Sequence, residues 1–458
     1  MRARAFAWAF ALLMAVCPAR AEEHARLTLQ EARAMAQYAL AQGDAALAWR
    51  LGAALLEADQ NDAGAHFIMA GAAAQAGEAK AARQSAARAY RSSAAPADRL
   101  RAAQYAARAA LEENRPTLTQ IWLRRAATNA SQDVDMRRIA HDYARVRRMN
   151  PWAIRIAGGV QPSNNVNNGA DTALQVIDGV PVVGSLSGDA QALSGLVGTL
   201  DVKLSYRLSG SATSQTQLGG RVYVRQVALS SDAQAQAPNA QNGDFASTYA
   251  EAALTHTFAL GAAGNAATLG AALGQAWSGG DHDYDFGRLF ASRSVGLGKA
   301  TRLSFNLSLE ERHSAQLASQ DQTITTLGTA LSHTLSSGDK ITLSYSLRDV
   351  DAGHINSRST AHSLRLGYSF GRQIGPAQVT AALTLGDVHY PDFRVGFIEV
   401  PGGRQDQSVY ADVTLFFPDI DYAGFAPALR IRTGSRNSNV SRYDSREFSV
   451  GLQIQSKF

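Results

Sequence analysis

The chain has 458 residues, of which 46% are hydrophobic and 18% are charged, and its formal net charge is +5. That charged fraction is below the quarter that is usual in soluble globular proteins, and it suits a wall that faces lipid. The small net charge and the absence of long Lys or Arg runs argue against nucleic-acid binding. The length favours two domains.

Residues 1–21 predict a secretory signal peptide. Arg2 and Arg4 give a positive start, an apolar run follows from 5 to 16, and Ala19 and Ala21 are the small residues that a signal peptidase reads. The run is shorter than the roughly 20 residues of a membrane-spanning helix, which disfavours a retained anchor. We therefore expect cleavage after Ala21.

The only cysteine of the chain, Cys17, lies inside this predicted signal peptide. A lipidated cysteine is the alternative, but in Met14-Ala15-Val16 the residue just before Cys17 is not the small one that a lipidated cysteine requires. The mature chain is then expected to have no thiol, which excludes disulfides, thiolate catalysis and cysteine-bound metals.

Residues 22–150 predict a periplasmic helical-repeat domain of the tetratricopeptide type. The segment is rich in Ala, Arg, Leu and Gln, and equivalent glycines at 43 and 77 are separated by the tetratricopeptide period. A third, degenerate unit is expected from Asp98 to Ala130. The alternative is a plain Ala-rich helical bundle without a binding role. The predicted packing positions of the repeat are Ala36, Gly43, Ala48, Ala70, Gly77 and Ala82.

Residues 151–458 predict an antiparallel outer-membrane β-barrel of about 14 strands. Apolar and polar residues alternate with period two, as in Lys340 to Arg348, Leu303 to Glu310, and Leu200 to Leu208. A soluble β-sandwich also alternates, but here the segments are long and the hydrophilic faces are dense in Ser, Thr, Arg and Asp. Short turns also alternate with longer polar stretches such as Asp232 to Asp244, as barrel turns and loops do.

The last predicted strand carries an insertion signal for the bacterial barrel-assembly machinery. Its apolar residues share one face and lead to a terminal aromatic residue. We expect this machinery and outer-membrane lipid as partners of a monomeric barrel. The residues of the insertion signal are Phe448, Val450, Leu452, Ile454 and Phe458.

No catalytic or metal-binding pattern stands out. The ten histidines are scattered, no HExxH motif occurs, and no nucleophile stands out together with His and acidic partners. We therefore expect no enzyme activity and no cofactor. Arginines predicted to face the lumen could set an anion preference, but pairing with Asp201 or Asp412 is favoured because both signs occur. These arginines are Arg207, Arg348, Arg365, Arg430 and Arg432.

The stretch Pro162-Ser163-Asn164-Asn165-Val166-Asn167 follows the first predicted strand, Ile154 to Val160. It resembles the Pro-x-Ser-Asn-x-Asn signature at the start of the barrel in the surface lipoprotein assembly modulator (Slam) family, with one additional Asn. The resemblance extends to the domain order, the strand number and the terminal aromatic strand. The helical domain is short for that family.

The resemblance implies a translocon in the outer membrane, with the N-terminal domain in the periplasm, which carries surface lipoproteins or small secreted proteins to the cell surface. We expect the Asn-rich stretch near the periplasmic mouth, where its amides could bind an extended client backbone. The alternative for the stretch is a polar turn. Two other functions stay open, an exopolysaccharide-export barrel with periplasmic repeats and a passive porin. The candidate client-contact residues are Pro162, Ser163, Asn164, Asn165 and Asn167.

Overall fold

The computed structural model describes residues 27–261, 264–420, 422 and 424–456. The predicted signal peptide, Cys17 and Phe458 lie outside the described residues. The chain divides into two compact units, Met1–Ile139 and Ala140–Phe458.

The first unit is built from helices, several of which begin at residues that favour a helix N-terminus. Thr28 and Glu31 form a capping box on the first helix, Asp44 and Asp62 cap the next two, and Pro96 opens a later one. None of the described helices is both long and apolar enough to cross a membrane. The helices are α1 (Leu29–Gln42), α2 (Ala45–Ala58), α3 (Ala63–Gln75), α4 (Ala79–Ser92), α5 (Pro96–Glu112), α6 (Pro116–Thr128) and α7 (Asp133–Met149).

Small residues let consecutive helices of this unit approach closely. Ala36 in α1 and Ala48 in α2 are both 0% exposed. Ala70 in α3 and Ala82 in α4 are likewise buried at the corresponding positions. The helix pairs are as the period predicts, whereas the tetratricopeptide assignment stays a prediction.

The turns inside the helix pairs use left-handed backbone. Gly43 has φ 83° between α1 and α2, and Gly77 has φ 76° between α3 and α4. Asn114, at φ 55°, takes this role between α5 and α6. Asn tolerates the left-handed region, so the third unit keeps the turn without the glycine that marks the first two.

The second unit is a closed antiparallel barrel of 14 strands, which confirms the predicted fold class and strand number. The first strand pairs with the last and closes the wall. The strands are β1 (Trp152–Ser163), β2 (Leu174–Ile177), β3 (Val180–Ser185), β4 (Gly195–Gly210), β5 (Ser214–Leu229), β6 (Ser247–Ala259), β7 (Ala266–Ser278), β8 (Asp281–Leu297), β9 (Thr301–Ser314), β10 (Gln322–Thr334), β11 (Lys340–Ala352), β12 (Ser359–Ser369), β13 (Gln378–Tyr390), β14 (Arg394–Val395), β15 (Ile398–Glu399), β16 (Arg404–Phe416), β17 (Phe425–Ser438) and β18 (Ser445–Ser456). Strands β2 with β3 and β14 with β15 form small hairpins outside the wall, and a short helix α8 (Ser231–Gln236) follows β5.

Alternate residues of the wall strands face outward, and most of them are apolar. In β4, Leu200 is 45% exposed and Leu208 is 52% exposed. The ring of Trp152 contacts that of Tyr206 on the neighbouring strand, with centroids 4.6 Å apart and the planes tilted by 55°, as in the aromatic girdles of membrane barrels. A continuous apolar exterior of this kind is unstable in water and stable in lipid. The chain is therefore an outer-membrane barrel protein.

The two ends of the barrel differ in their connections. The termini end is the one where β1 begins and β18 ends, and the turn between β4 and β5 there spans only 211–213. The long-loop end carries the connections 164–194, 230–246 and 391–403. One connection at the long-loop end, 279–280, is short.

The first strand is longer than the sequence indicated. β1 was expected to end at Val160, but it continues to Ser163, so the proline of the Asn-rich stretch lies inside the strand. Pro162 faces Leu196 of β4 in the register, while the ladder with β18 is interrupted between Val160 and Ser163. A proline is tolerated at such a site because its missing N–H is not needed there.

Candidate functional site

The Asn-rich stretch lies at the long-loop end of β1. Asn164 extends the seam between the first and last strands, since its Oδ1 accepts from the Phe448 amide at 3.3 Å and its Nδ2 donates to the Arg446 carbonyl at 3.4 Å. Asn165 binds Gly169 twice, through its amide oxygen and its amide nitrogen, each at 2.8 Å.

Asn167 is the most engaged side chain of the stretch. Its Nδ2 donates to the carbonyls of Asp189 and Gln191, both at 2.8 Å. Its Oδ1 accepts from the Leu193 amide at 2.9 Å and from the Gly169 amide at 3.3 Å. These bonds tie the beginning of the 164–194 connection to its end.

Ser163 and the asparagines lie at the end of the barrel opposite to the start of β1, together with the long loops. The expected position of the stretch near the periplasmic mouth stays a prediction. The amides of the asparagines are engaged within the chain, which favours the alternative of a loop-building role. Pro162, Ser163 and Asn164 also line an outward-facing hollow of about 680 Å³ beside Phe448 and Val450. Contact with a client stays a prediction.

Segment 164–194, called here the plug loop, packs against the lumen side of the wall. Val166 is 1% exposed and contacts the lumen-facing Val197 and Val227. The guanidinium of Arg225 donates to the Val166 carbonyl at 2.6 Å and to the Phe245 carbonyl at 2.5 Å. One arginine of the wall therefore holds two loops of the long-loop end.

The far part of the plug loop is the β2–β3 hairpin, which reaches the loop between β17 and β18. Asp178 and Gly179 turn the chain with φ 49° and 81°. The Asp178 amide donates to the Asn439 carbonyl at 2.8 Å, and Ile177 forms an isolated bridge with Val440. Ile177 and Val440 pack with Phe393 and Val400 in a small buried cluster. The plug loop is thus attached to β4 and β5 on one side of β1 and to the loops that join β13 to β16 and β17 to β18 on the other.

The plug loop is acidic. It contains Asp171, Asp178 and Asp189 and neither Lys nor Arg. Beside it, burial raises the pKa of the Asp444 carboxyl, and the nearby carboxylates of Asp171 and Asp406 act in the same direction, although the Ser438 amide opposes them.

The lumen wall carries paired charges on the side of β4 to β9. Arg221 binds Asp201 in a bidentate pair at 2.9 and 3.0 Å. Arg288 bridges Glu251 at 2.5 Å and Glu310 at 3.3 Å, and Arg312 contacts Glu310 at 2.6 Å. Glu251, Arg288, Glu310 and Arg312 thus form one connected network, which lies beside the separate pair of Asp201 and Arg221.

A second network lies on β12, β16, β17 and β18. Asp412, only 5% exposed, contacts Arg430 at 2.5 Å, Arg432 at 3.4 Å and Arg365 at 3.5 Å. Arg432 also binds Glu447 at 3.1 Å. These three arginines are paired with Asp412, the reading that the sequence favoured.

The two remaining candidate arginines behave differently. Arg207 lies at the termini end and donates to the Met149 carbonyl at 3.0 Å. Arg348 faces the lumen, and it has no ion pair within the part of the chain that the structure describes.

An aromatic cage surrounds a buried ion pair at the long-loop end. Arg404 binds Asp406 at 2.5 and 2.9 Å, and the two side chains are 7% and 3% exposed. The guanidinium lies 3.3 Å from the ring centroid of Tyr443 and 4.2 Å from that of Tyr390. The pair joins the 391–403 connection to the loop before β18.

Comparison with known proteins finds outer-membrane barrels among solved structures but identifies no family. No family model matches the chain, and no curated protein matches it. Among solved structures, a loop-deletion mutant of OmpT, an outer membrane protein of Vibrio cholerae, matches with a TM-score of 0.34 and 9% identity over 66% of this chain and 99% of that one. A bacterial polysaccharide outer membrane secretin matches with a TM-score of 0.34 and 9% identity over 68% and 99%. An outer membrane channel from Pseudomonas putida matches with a TM-score of 0.30 and 14% identity over 66% and 94%. At these TM-scores the likeness adds nothing to what the barrel geometry itself shows.

The plug loop and the charge network around Arg288 were not predicted from the sequence. Asp178-Gly179 between Ile177 and Val180 is a strong hairpin signal that could have located β2 and β3. Glu251 carried no signal, because its partner Arg288 is on a strand that is not adjacent to it along the sheet. Within the described residues, no group of three or more His, Cys, Asp or Glu could hold a metal.

Proposed function

We propose that this chain is an outer-membrane translocon that delivers surface lipoproteins, or small secreted proteins, across the outer membrane. The plug loop is the observation that carries the proposal. It is held at the long-loop end by individual hydrogen bonds, such as those of the Asp178 amide and of the Val166 carbonyl, and by the small cluster around Ile177. Contacts of this size open and close at low cost, as a gated conduit needs.

The resemblance of the Asn-rich stretch to the Slam family and the helix pairs before the barrel support this proposal. In it, the helical unit lies in the periplasm and receives the client, and the long-loop end faces the medium, as the longer loops of outer-membrane barrels do. The barrel-assembly machinery inserts the chain through its last strand, and the barrel works as a monomer without catalysis.

The charged lumen favours a second candidate, an exporter of an acidic polysaccharide. Cationic side chains in a lumen attract any polyanion, and Arg348 offers a guanidinium without a carboxylate partner among the described residues. In that case, deleting the gene abolishes matrix polysaccharide and leaves surface proteins unchanged.

A reversible disulfide that holds the plug loop in place tests the proposed translocon function. Ile177 and Val440 are directly opposed in an antiparallel bridge, a geometry that suits a disulfide. The double variant Ile177→Cys with Val440→Cys is expressed with a lipoprotein encoded beside this gene. We expect surface labelling of that lipoprotein on intact cells to fall under oxidising conditions and to return after reduction.

Each single cysteine variant is the matched control and should export the lipoprotein in both conditions. Full export through the locked barrel, with the disulfide verified by mass spectrometry, contradicts the proposal. Loss of polysaccharide alone after gene deletion selects the second candidate instead.

A further inference from the structure

The carboxylates of the lumen wall are all neutralised by neighbouring cations. Wall residues that alternate with the outward-facing leucines point into the lumen. Each lumen-facing carboxylate of the wall strands has an Arg or Lys within ion-pair distance. These carboxylates are Asp201, Glu251, Glu310, Asp406, Asp412 and Glu447.

Cations remain after this pairing. Arg348 and Lys340 of β11, Arg155 of β1 and Arg302 of β9 share the lumen-facing register, and none has an ion pair in the described ranges. Arg225 is bound to two carbonyl groups, which leaves its charge in place. The lumen therefore carries an excess of positive charge from the termini end to the plug loop.

A wall of low dielectric strengthens the effect of this excess. Field lines from the cations are focused through the aqueous lumen, which concentrates anions and repels cations. Rings of Arg or Lys have this effect in anion pores.

The plug loop has a negative net charge, which complements the positive charge of the lumen. The plug loop carries three aspartates and no basic residue, and it rests on Arg225 through the Val166 carbonyl. A stretch of polypeptide with net negative charge therefore packs beside this lumen, and a backbone carbonyl, not a carboxylate, occupies the guanidinium of Arg225.

We propose that the lumen is anion-selective and that it takes acidic polypeptide segments, whose carboxylates displace the Val166 carbonyl of the plug loop from Arg225. This inference rests on the proposed conduit function and adds the charge class of its substrate. The plug loop is then an internal competitor of the client.

Ion selectivity in a planar bilayer tests the inference with the full-length barrel. A KCl gradient is applied to the wild type and to a variant in which 174–185 is replaced by a short Gly-Ser link, so that the mouth is open in at least one protein. We expect a reversal potential of the sign for chloride selectivity. Arg348→Gln should shift it toward zero.

Arg293→Gln is the matched control, because Arg293 shares the outward register of Leu289 on β8, so that the same charge is lost on the lipid side. It should leave the reversal potential unchanged. Oligoglutamate should block the current, and oligolysine should not.

Cation selectivity, or no conductance from either barrel, overturns the proposal. Block by an oligouronate but not by oligoglutamate overturns the assignment of a polypeptide substrate. Surface export of the lipoprotein is measured separately, so a cation-selective barrel that still exports it refutes this inference and leaves the translocon standing.

Discussion

Arg404 shows how a single residue fixes the long-loop end. Its charge is buried with Asp406 and lies against the rings of Tyr390 and Tyr443. Removing one partner of a buried ion pair leaves the other charge without compensation, which is much more costly than losing an exposed pair.

We therefore expect Arg404→Ala to destabilise the barrel by about 3 kcal/mol. The measurement is the temperature at which the detergent-solubilised protein loses its heat-modifiable gel migration. Arg394→Ala is the control, because its pair with Glu399 is exposed at 54% and 73% and contributes little. Equal effects of the two substitutions would show that the cage does not stabilise the fold.

Asn167 holds the beginning and the end of the plug loop together. Asn167→Ala removes four hydrogen bonds to the backbone of the loop and should weaken it locally by about 2 kcal/mol. We expect faster cleavage of the loop by chymotrypsin with an unchanged barrel melting temperature. Gln175→Ala is the control, since the Gln175 side chain forms no hydrogen bond among the described residues. Unchanged cleavage of the Asn167 variant would refute the role of its amide.

At the scale of elements, one turn residue joins two neighbouring hairpins. Asp339 accepts from the Gly371 amide and the Tyr368 hydroxyl at 2.7 Å and from the Ser337 hydroxyl at 2.8 Å. The backbone hydrogen bond from Gly371, followed by those hydroxyls, lowers the pKa of Asp339 below 3.8.

A carboxyl whose pKa is lower in the folded state stabilises the fold above its unfolded pKa and loses that contribution as the pH falls through its folded pKa. We expect Asp339→Asn to lower the melting temperature at neutral pH and to reduce the further loss between pH 5 and pH 2 relative to the wild type. Asp419→Asn, in another turn of the same end, is the control. A wild type and variant with parallel pH profiles would exclude this contribution.

Strand existence was predictable, and strand ends were not. Alternation such as that from Leu200 to Leu208 reports which face meets lipid, and this determines the register of each strand. It does not report where pairing stops, so Pro162 and Ser163 were placed outside β1 although they lie in it. The function of the asparagines was equally hidden, because their partners, such as Arg446, lie far away in the sequence.

At the scale of the whole molecule, the division between the units falls inside α7 rather than at its end. The last residues of that helix belong with the barrel, since Arg207 donates to the carbonyls of Met149 and Pro151 at 3.0 and 2.8 Å. The Trp152 amide in turn donates to the Oδ1 of Asn150 at 3.0 Å.

We therefore predict that a barrel fragment beginning at Ala140 melts at a higher temperature than one beginning at Trp152, since only the longer fragment keeps these bonds. Refolding both fragments into detergent and comparing their heat-modifiable migration measures the difference. Arg207→Gln in the longer fragment should remove part of it. Identical melting of the two fragments would show that these contacts do not stabilise the barrel.

The composition of the plug loop has a practical consequence for experiments on intact cells. Between Arg155 and Lys203 the chain offers trypsin no cleavage site, because residues 156–202 contain neither Lys nor Arg. Shaving cells with trypsin will therefore release no peptide from the largest connection of the barrel, even if that connection faces the medium. If no peptide from this region is found in such a survey, the reason is its lack of cleavage sites and not a lack of exposure.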